Sequence, residues 1–249
     1  MTGRGVALVT GGVRRIGRAL AEACAEAGYD VAVHHRGGHE GDHAVEALKA
    51  RGVRAAAFAA DLAQLDADAL IAAIAAELGP VTLLVNSASV FDDDRIGDLT
   101  DEGWDAHLDV NLRAPVMLAQ AMAAQLPADR EGLVVNIVDQ RVLRPNPQFF
   151  TYSLSKAGLW WATRTLAQGL APRVRVNAIG PGPTLPSIHQ ADGEFDAEAA
   201  ATPLGRSVEA EEIAHALRYL IDARSVTGQM IAVDAGQHLA WRTPDIQGD

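Results

Sequence analysis

Seven short apolar segments recur along the chain without alternating polar positions. They cover residues 6–10, 30–34, 54–59, 81–86, 133–138, 173–179 and 230–233. Strands that are buried on both faces, as in helix-covered parallel sheets, have this largely uninterrupted apolar character. The pattern therefore predicts seven buried strands.

Segments of helix length lie between these strands, with apolar residues about 3.6 positions apart. The first helix is predicted to end at Gly28, and its apolar residues are Ile16, Leu20, Ala23 and Ala27. Another is expected to kink at Pro115, and its apolar residues are Trp104, Leu108, Leu112 and Met117. The repeated alternation of strand and helix predicts an α/β fold, a Rossmann-type doubly wound domain with a seven-stranded parallel sheet and helices on both faces. Ligands of such sheets bind beyond the carboxyl ends of the strands.

One domain over residues 1–249 is expected, because no stretch has the composition of a linker between two cores. The only candidate, residues 181–203, is flanked by core-like segments. We therefore expect residues 183–203 to form a lid over a substrate.

Composition narrows the classes of partner. The net charge of −11 and a pI near 5.1 argue against a nonspecific nucleic-acid binder, which needs a basic face. No apolar window approaches the ~18 residues of a membrane span, and no leader-like segment follows Met1. The single cysteine, Cys24, suits a reducing compartment and is expected in the core of the first helix. A cytoplasmic protein is the resulting expectation.

A glycine-rich loop connects the first strand to the first helix. It comprises Gly11, Gly12, Arg14, Arg15, Ile16 and Gly17. Glycines allow a tight turn and close backbone approach, and a helix N-terminus offers free N–H groups to a pyrophosphate. The loop thus predicts a dinucleotide site, with an ordinary strand-to-helix turn as the structural alternative.

The end of the second strand indicates which dinucleotide binds. NAD-binding folds usually place an acidic residue there for the ribose hydroxyls, whereas this chain has His34, His35 and Arg36. A guanidinium suits a 2′-phosphate, and Arg15 is expected to point to the same place. NADPH is therefore the predicted cofactor; the alternative is that these arginines are merely solvated.

A tyrosine and a lysine one helical turn apart form the candidate catalytic pair. Tyr152 and Lys156 are at positions i and i+4, so they share a helix face. An ammonium beside a phenol is expected to lower the tyrosine pKa from about 10, which would let the phenol act as a general acid or base. The alternative is a surface helix pair.

Further residues occur in an order that resembles the short-chain dehydrogenase/reductase family over nearly the whole chain. They are Asn86, Ser87, Ala88 and Ser89 after the fourth strand, Asn111, Asp139, Asn177, Pro203 to Arg206, and Val233 to Gly236. The resemblance implies that Asp61 and Leu62 contact adenine, that Asn86, Ala88, Ser89, Pro181 and Gly182 adjoin the cofactor, and that the protein is a homotetramer. Structural alternatives are a helix cap for Asp61, a turn for Pro181 and Gly182, and a loop acceptor for Asp234.

Three departures from the usual family pattern are informative. Arg15 stands where most members have glycine, Ser87-Ala88-Ser89 replaces Asn-Ala-Gly, and Asp139 replaces the catalytic serine. Together with Phe91 and the thirteen-residue spacing from Asp139 to Tyr152, these resemble the branch of pteridine reductases and dihydromonapterin reductases.

The resemblance implies reduction of a pterin-type C=N bond in a dihydropteridine, dihydromonapterin or dihydrofolate. NADPH would supply hydride and Tyr152 the proton, with Asp139 assisting. Lys156 would tune Tyr152 and bind the nicotinamide ribose, and Asn111 would hold a water linking Lys156 to solvent. Phe91 would stack on the pterin, and Arg15 and Ser89 would hydrogen-bond its edge or the cofactor phosphates. The alternatives are core packing for Phe91 and a loop cap for Asp139.

Two rival functions remain open. One is a carbonyl reductase acting on a ketone, and the other is a non-catalytic NADPH-sensing protein, against which Tyr152 and Lys156 argue. No metal site is expected, because the histidines at 34, 35, 39 and 43 lack carboxylate or cysteine partners at ligand spacing and are interpreted as surface or phosphate-edge residues. Trp160 and Trp161 suit an interface or the core, and Trp241 and Arg242 are candidates to reach a neighbouring subunit's site.

Overall fold

A seven-stranded parallel sheet forms the centre of the molecule, in a computed structural model that describes residues 4–186 and 193–241. The strand order is β3-β2-β1-β4-β5-β6-β7. The strands are β1 Val6–Thr10, β2 Asp30–His35, β3 Ala55–Ala59, β4 Val81–Asn86, β5 Gly132–Ile137, β6 Val174–Pro181 and β7 Met230–Val233. The predicted fold is confirmed, and each predicted strand matches to within two residues at either end.

Helices cover both faces of this sheet. They are α1 Arg15–Glu26, α2 Glu40–Lys49, α3 Ala67–Glu77, α4 Asp101–Leu108, α5 Ala114–Gln125, α6 Phe150–Gly169, α7 Glu194–Ala200 and α8 Ala210–Asp222. Short 3-10 turns span Leu62–Gln64, Gln140–Val142 and Gln237–Leu239. In the described part of the chain, no helix is both long enough and apolar enough to cross a membrane.

Two apolar layers explain why the strands lack polar alternation. Alternate residues of β1 point to opposite faces: Ala7 and Val9 enter a core with α1, α2 and α8, whereas Val6 and Leu8 enter a core with α3 and α5. Both faces of the strand are therefore buried. Cys24 is a buried free thiol in the first of these cores, as predicted.

The order of the strands places a crevice beside β1. The chain passes from β1 to β2 on one side, and β4 pairs with β1 on the other. At the carboxyl end, the Thr10 hydroxyl accepts hydrogen bonds from the backbone N–H groups of Ser87 (2.9 Å) and Ala88 (3.0 Å). This contact ties the glycine loop to the segment after β4, at the edge where such sheets bind ligands.

The segment predicted as one helix with a proline kink has a different form. The helix begins at Asp101 and is interrupted by a π-helical turn over Asp109–Arg113, and Pro115 lies in the first turn of α5. The continuous helical run is irregular next to Pro115, whose ring displaces the carbonyl four residues earlier, at Asn111 in the π turn. The irregularity lies just before it, and the π turn brings Asn111 into the interior.

Candidate active site

A hydrogen bond joins the two predicted proton-transfer residues. The Tyr152 hydroxyl donates to Oδ2 of Asp139 at 2.8 Å. Tyr152 lies in the first turn of α6, and Asp139 lies just beyond β5, where Oδ1 accepts from the backbone N–H of Arg141 at 2.8 Å. Asp139 is therefore a loop cap through one oxygen and a partner of the phenol through the other, so the structural alternative and the proposed role are compatible.

Lys156 does not lower the pKa of Tyr152, and that expectation was wrong. Its ammonium donates to the carbonyl of Ile137 at 2.9 Å and lies 5.6 Å from the centre of the tyrosine ring. Burial, the Asp139 charge and the hydrogen bond to that carboxylate raise the pKa of Tyr152 well above its usual value. The phenol is consequently protonated at neutral pH, the form needed by a proton donor.

Burial also acts on the ammonium itself. Lys156 is 3% exposed, and its desolvation lowers its pKa to about 8, while the charge of Asp139 acts in the opposite direction. A cation in this place offers a donor to a hydroxyl or carboxylate acceptor in the crevice.

Asn111 supports the site from the π turn. Its side-chain amide donates to the Val90 carbonyl at 2.9 Å and to the Ser155 hydroxyl at 3.1 Å, and its Oδ1 accepts from the Val90 N–H at 2.8 Å. These bonds fix the segment that carries Phe91 against the catalytic helix. A bound water linking Lys156 to solvent stays a prediction.

Aromatic rings form one wall beside the phenol. Phe91 meets Tyr152 edge-on, with ring centroids 4.6 Å apart, and stacks on Phe149 at 4.3 Å and 7°. The Arg141 guanidinium carbon lies 5.7 Å from the Phe91 centroid and 5.0 Å from that of Phe149. Phe91 is therefore part of a site wall and absent from the apolar cores, and one of its faces is covered by Phe149.

A polar network missed by sequence reasoning anchors the start of the catalytic helix. The Thr151 hydroxyl donates to Oδ2 of Asp94, and Oδ1 of Asp94 accepts from the Thr151 N–H at 3.0 Å. His107, 1% exposed, lies 2.8 Å from that hydroxyl through Nδ1 and accepts from the Asp92 N–H through Nε2 at 3.2 Å. No local motif marks these residues, because their partners are distant in sequence.

The glycine loop has the close packing of a phosphate cradle. A Cβ at Gly17 would lie 2.1 Å from the Gly11 carbonyl oxygen, and one at Gly11 would lie 3.0 Å from the Ala88 Cα. Gly11 also has a φ of +63°, which favours glycine. The contacts therefore require glycine at both positions for the tight turn before α1, whose N-terminal N–H groups are the candidate binding place for a pyrophosphate.

Arg15 connects the glycine loop to the predicted lid. Its guanidinium donates to the carbonyls of Leu185 (3.2 Å) and Pro186 (3.0 Å), at the start of the predicted lid. A contact of Arg15 with the 2′-phosphate of the cofactor stays a prediction. Its φ of 51° is left-handed, which explains why a glycine is common at this position in the family it resembles.

His34 was wrongly interpreted as a surface or phosphate-edge residue. It is 2% exposed; its Nε2 lies 3.0 Å from the Ala60 carbonyl, and its Nδ1 accepts from the Gly11 N–H at 3.3 Å. Burial lowers its pKa. A neutral ring therefore connects the glycine loop to the end of β3. Next to it, Nδ1 of His35 is buried without a hydrogen-bond partner in the part of the chain that the structure describes, and Arg36 is exposed.

The remaining cofactor candidates line the same edge of the sheet. The Asp61 carboxylate caps the turn after β3 by accepting from Ala63 N–H at 3.0 Å, and Leu62 is buried. Pro181 ends β6, and a Cβ at Gly182 would lie 2.7 Å from the Asp234 Cα. Asp234 accepts hydrogen bonds within its own loop, so the structural alternatives for Asp61 and Asp234 are both seen. A turn at Pro181 and Gly182 is not seen, because Pro181 pairs with Val233 and the Gly182 N–H donates to the Val233 carbonyl. Contacts of these residues with a cofactor stay predictions.

The last four predicted cofactor residues differ from one another in burial and in hydrogen bonding. They are Arg14, Ile16, Asn86 and Ser89. Asn86 is buried and donates to Oδ1 of Asn136 at 2.8 Å, leaving its own Oδ1 without a partner. Ile16 packs on a core, Arg14 is exposed, and the Ser89 hydroxyl donates to the Val90 carbonyl at 3.2 Å.

Several peripheral predictions have definite positions. Trp160 packs against a small core beside α6, whereas Trp161 is 63% exposed, and Arg164 lies over both rings. Trp241 is exposed, and Arg242 lies outside the described residues, as do positions 187–192 of the predicted lid. Within residues 4–186 and 193–241, no group of histidine, cysteine and acidic side chains has the arrangement of a metal site.

Comparison with known proteins gives the family. The sequence profile described as "Enoyl-(Acyl carrier protein) reductase" matches residues 11–238. The chain belongs to the short-chain dehydrogenase/reductase family. Among relatives in this family, the 3-oxoacyl-[acyl-carrier-protein] reductase FabG of Staphylococcus epidermidis is 34% identical over 240 residues, which are 94% of this chain and 98% of that protein.

Solved structures of the family include nearer relatives. The structure of FolM Alternative dihydrofolate reductase 1 from Brucella canis, complexed with NADP, is 50% identical, covers 99% of both chains and superposes with a TM-score of 0.95. A short-chain dehydrogenase from Burkholderia cenocepacia, also with NADP, is 32% identical with a TM-score of 0.87, covering 94% of this chain and 98% of that one. The bound cofactor in these structures agrees with the predicted one.

Proposed function

We propose that this short-chain reductase uses NADPH to reduce a pterin-type C=N bond, in a dihydropteridine, a dihydromonapterin or dihydrofolate. The observation that carries the proposal is the 2.8 Å hydrogen bond from Tyr152 to Asp139 beside the ring of Phe91. Most members of the family resembled have a catalytic serine where this chain has Asp139, and a serine hydroxyl can donate a hydrogen bond to a ketone oxygen. A carboxylate only accepts hydrogen bonds, so it suits a proton relay to a ring nitrogen better than it suits a carbonyl.

Each residue of the site has a separate role in the proposed reduction. Tyr152, buried and protonated, gives its proton to the substrate nitrogen. Asp139 accepts the hydrogen bond of the phenol. After Tyr152 has given its proton to the substrate nitrogen, Asp139 takes up a proton from solvent and passes it to the phenolate. Phe91 offers a flat apolar surface to the heterocycle, and Asn111 holds the Val90 backbone beside it.

NADPH supplies the hydride when it is bound. Gly11, Gly12 and Gly17 leave room for its pyrophosphate at the start of α1. Arg14, His35 and Arg36 are the candidates for its 2′-phosphate, because the end of β2 has no acidic side chain and His35 Nδ1 lacks a partner. Asp61 and Leu62 would adjoin adenine, and Lys156 would donate to the nicotinamide ribose.

The FolM structures support the pterin assignment. Two of them, from Brucella canis and Brucella suis, are each 50% identical to this chain, and both are described as alternative dihydrofolate reductases. The FabG relatives are 33–34% identical and favour the second candidate, reduction of a 3-oxoacyl ketone. We also propose that the protein forms a homotetramer, as the family resemblance implies, and that the exposed Trp161 lies at an interface between subunits.

A substrate comparison separates the two candidates. Enzyme and NADPH are mixed in turn with dihydrobiopterin, dihydromonapterin, dihydrofolate and a 3-oxoacyl thioester, and NADPH oxidation is followed by absorbance. The pterin assignment predicts that a dihydropterin or dihydrofolate has the highest kcat/KM. If the 3-oxoacyl thioester supports NADPH oxidation and none of the three reduced heterocycles does, the protein is a carbonyl reductase. NADH in place of NADPH should be used less efficiently, since the end of β2 lacks a carboxylate.

A further inference from the structure

Arg141 is a cation on the aromatic wall of the site and is separate from the proton-transfer residues. Its guanidinium lies over Phe91 and Phe149, and Phe91 in turn meets Tyr152. Its position two residues after Asp139 is fixed by the hydrogen bond from its own backbone N–H to that carboxylate. The guanidinium is therefore held beside the place where the substrate ring is proposed to lie.

The donors of this guanidinium are incompletely used. Nη1 is buried and has no hydrogen-bond partner among residues 4–186 and 193–241. A buried donor without an acceptor is unfavourable, and burial against aromatic rings strengthens any charge-assisted bond that it later forms. The site is consequently poised for an acceptor from the substrate.

The charge of Arg141 is also uncompensated by a side chain. Across the described residues, eight other arginines form ion pairs with carboxylates, and Arg141 has no carboxylate oxygen within 4.0 Å of its guanidinium nitrogens. The chain as a whole carries a net charge of −11 and repels anions. A guanidinium without a carboxylate partner offsets that repulsion locally and matches a carboxylate better than a neutral acceptor.

Exposure along the chain indicates which part of a substrate Arg141 meets. Gln140, just before it, is buried; Arg141 is half-buried; and the chain from Leu143 to residue 148 is exposed. Arg141 thus lies between the buried proton donor and the outside. A substrate that places its ring at Phe91 would direct its side chain past this residue.

We propose that Arg141 binds a carboxylate on the side chain of the substrate and so favours folate-type over unconjugated pterin substrates. The proposal rests on the proposed function, in that it places the pterin ring at Phe91. It names a specificity residue: among the described residues the guanidinium makes no hydrogen bond to Tyr152 or Asp139, and its charge acts on the proton donor only by lowering the pKa of Tyr152.

The test compares two substrates that share a ring and differ in side-chain charge. Wild type and the variants Arg141→Met and Arg141→Lys are assayed with dihydrofolate, which has carboxylates, and dihydrobiopterin, which has none. Arg141→Met should lower kcat/KM for dihydrofolate about tenfold or more, mainly through KM, and change that for dihydrobiopterin less than about threefold. Arg141→Lys should lose less, and Arg144→Met, an exposed control, should behave as wild type. Equal losses with both substrates, or none, would overturn the proposal.

A binding measurement keeps this result separate from failure of the proposed function. Folate and its dimethyl ester are titrated into the enzyme with NADP. Folate should bind wild type about tenfold more tightly than the ester, and Arg141→Met should bind both equally. The proposed function fails if neither a dihydropterin nor dihydrofolate supports NADPH oxidation by the wild-type enzyme. This titration still decides the role of Arg141 in that case. No preference for folate, or no binding of folate, would contradict it.

Discussion

The Tyr152 hydroxyl and Oδ2 of Asp139 are 2.8 Å apart, although one lies on α6 and the other follows β5. This hydrogen bond keeps the proton on the Tyr152 phenol and fixes the orientation of the hydroxyl group. A carboxylate in this place makes the phenolate unfavourable, so the donated proton must be replaced promptly. The pair is therefore expected to act as one unit, in which the proton lost by Tyr152 is restored through Asp139.

Removing the hydroxyl should abolish chemistry and leave cofactor binding. In Tyr152→Phe, the ring that meets Phe91 is retained and the donor is lost. We expect kcat to fall by about 10²- to 10⁴-fold and the dissociation constant for NADPH to change less than about threefold. Steady-state kinetics and a fluorescence titration measure the two. Turnover within tenfold of wild type would exclude Tyr152 as the donor.

Removing the charge of Asp139 should shift the pH profile. In Asp139→Asn, the amide oxygen still accepts from the Arg141 N–H, so the turn is kept. Because the Asp139 charge raises the pKa of Tyr152, its loss lowers that pKa. The alkaline limb of kcat/KM should move to lower pH, and the maximal value should fall about 10- to 100-fold. An unmoved alkaline limb would mean that the two groups are not coupled during turnover.

The cofactor loop should tolerate no side chain at Gly17. A Cβ there would lie 2.1 Å from the Gly11 carbonyl oxygen, whereas one at Gly169, at the end of α6, has no atom within 4 Å. Gly17→Ala should weaken NADPH binding at least about tenfold and lower the free energy of unfolding by about 1–3 kcal/mol. Gly169→Ala, the matched control, should leave both properties near wild type or raise stability slightly. Similar effects of the two changes would show that the loop is not a close-packed cradle.

His34 should make stability depend on acid pH. Burial lowers its pKa below the ordinary 6.5, so the unfolded chain binds its proton first as the pH falls. Its stabilising contribution is complete above pH 6.5 and is lost as the pH falls from there through the lower folded pKa. Urea unfolding across this range should show a pH slope that is smaller in His34→Asn. The variant should also lose about 1–2 kcal/mol at neutral pH, because Gly11 N–H and the Ala60 carbonyl lose their partner. Equal slopes in the two proteins would contradict this account.

The sheet could be predicted because its signal is local. Apolar runs without alternation mark strands covered on both faces, and the split of β1 residues between two cores is the physical origin of that pattern. The π turn at Asp109–Arg113 could not be found in this way, because the apolar spacing around it fits a continuous helix and Pro115 marks an irregularity without showing its form.

Site residues were predictable where a motif fixes them and not where contacts are long-range. Tyr152, Lys156 and Asp139 stand at recognisable spacings, and the structure brings them together. The electrostatic role of Lys156 was mistaken, because spacing alone cannot show that its ammonium reaches the Ile137 carbonyl. The contacts of Arg141 and His34 likewise depend on segments far apart in sequence.

The most direct test of the account is the ratio of two kcat/KM values, measured with NADPH in wild type and Asp139→Ser: that of the best substrate among dihydrobiopterin, dihydromonapterin and dihydrofolate, divided by that of a 3-oxoacyl thioester. The account predicts a ratio well above one in wild type and a fall of at least about tenfold in the variant, because serine donates to a carbonyl and cannot relay a proton as Asp139 does. A wild-type ratio below one, or a ratio that the substitution leaves unchanged, would contradict it.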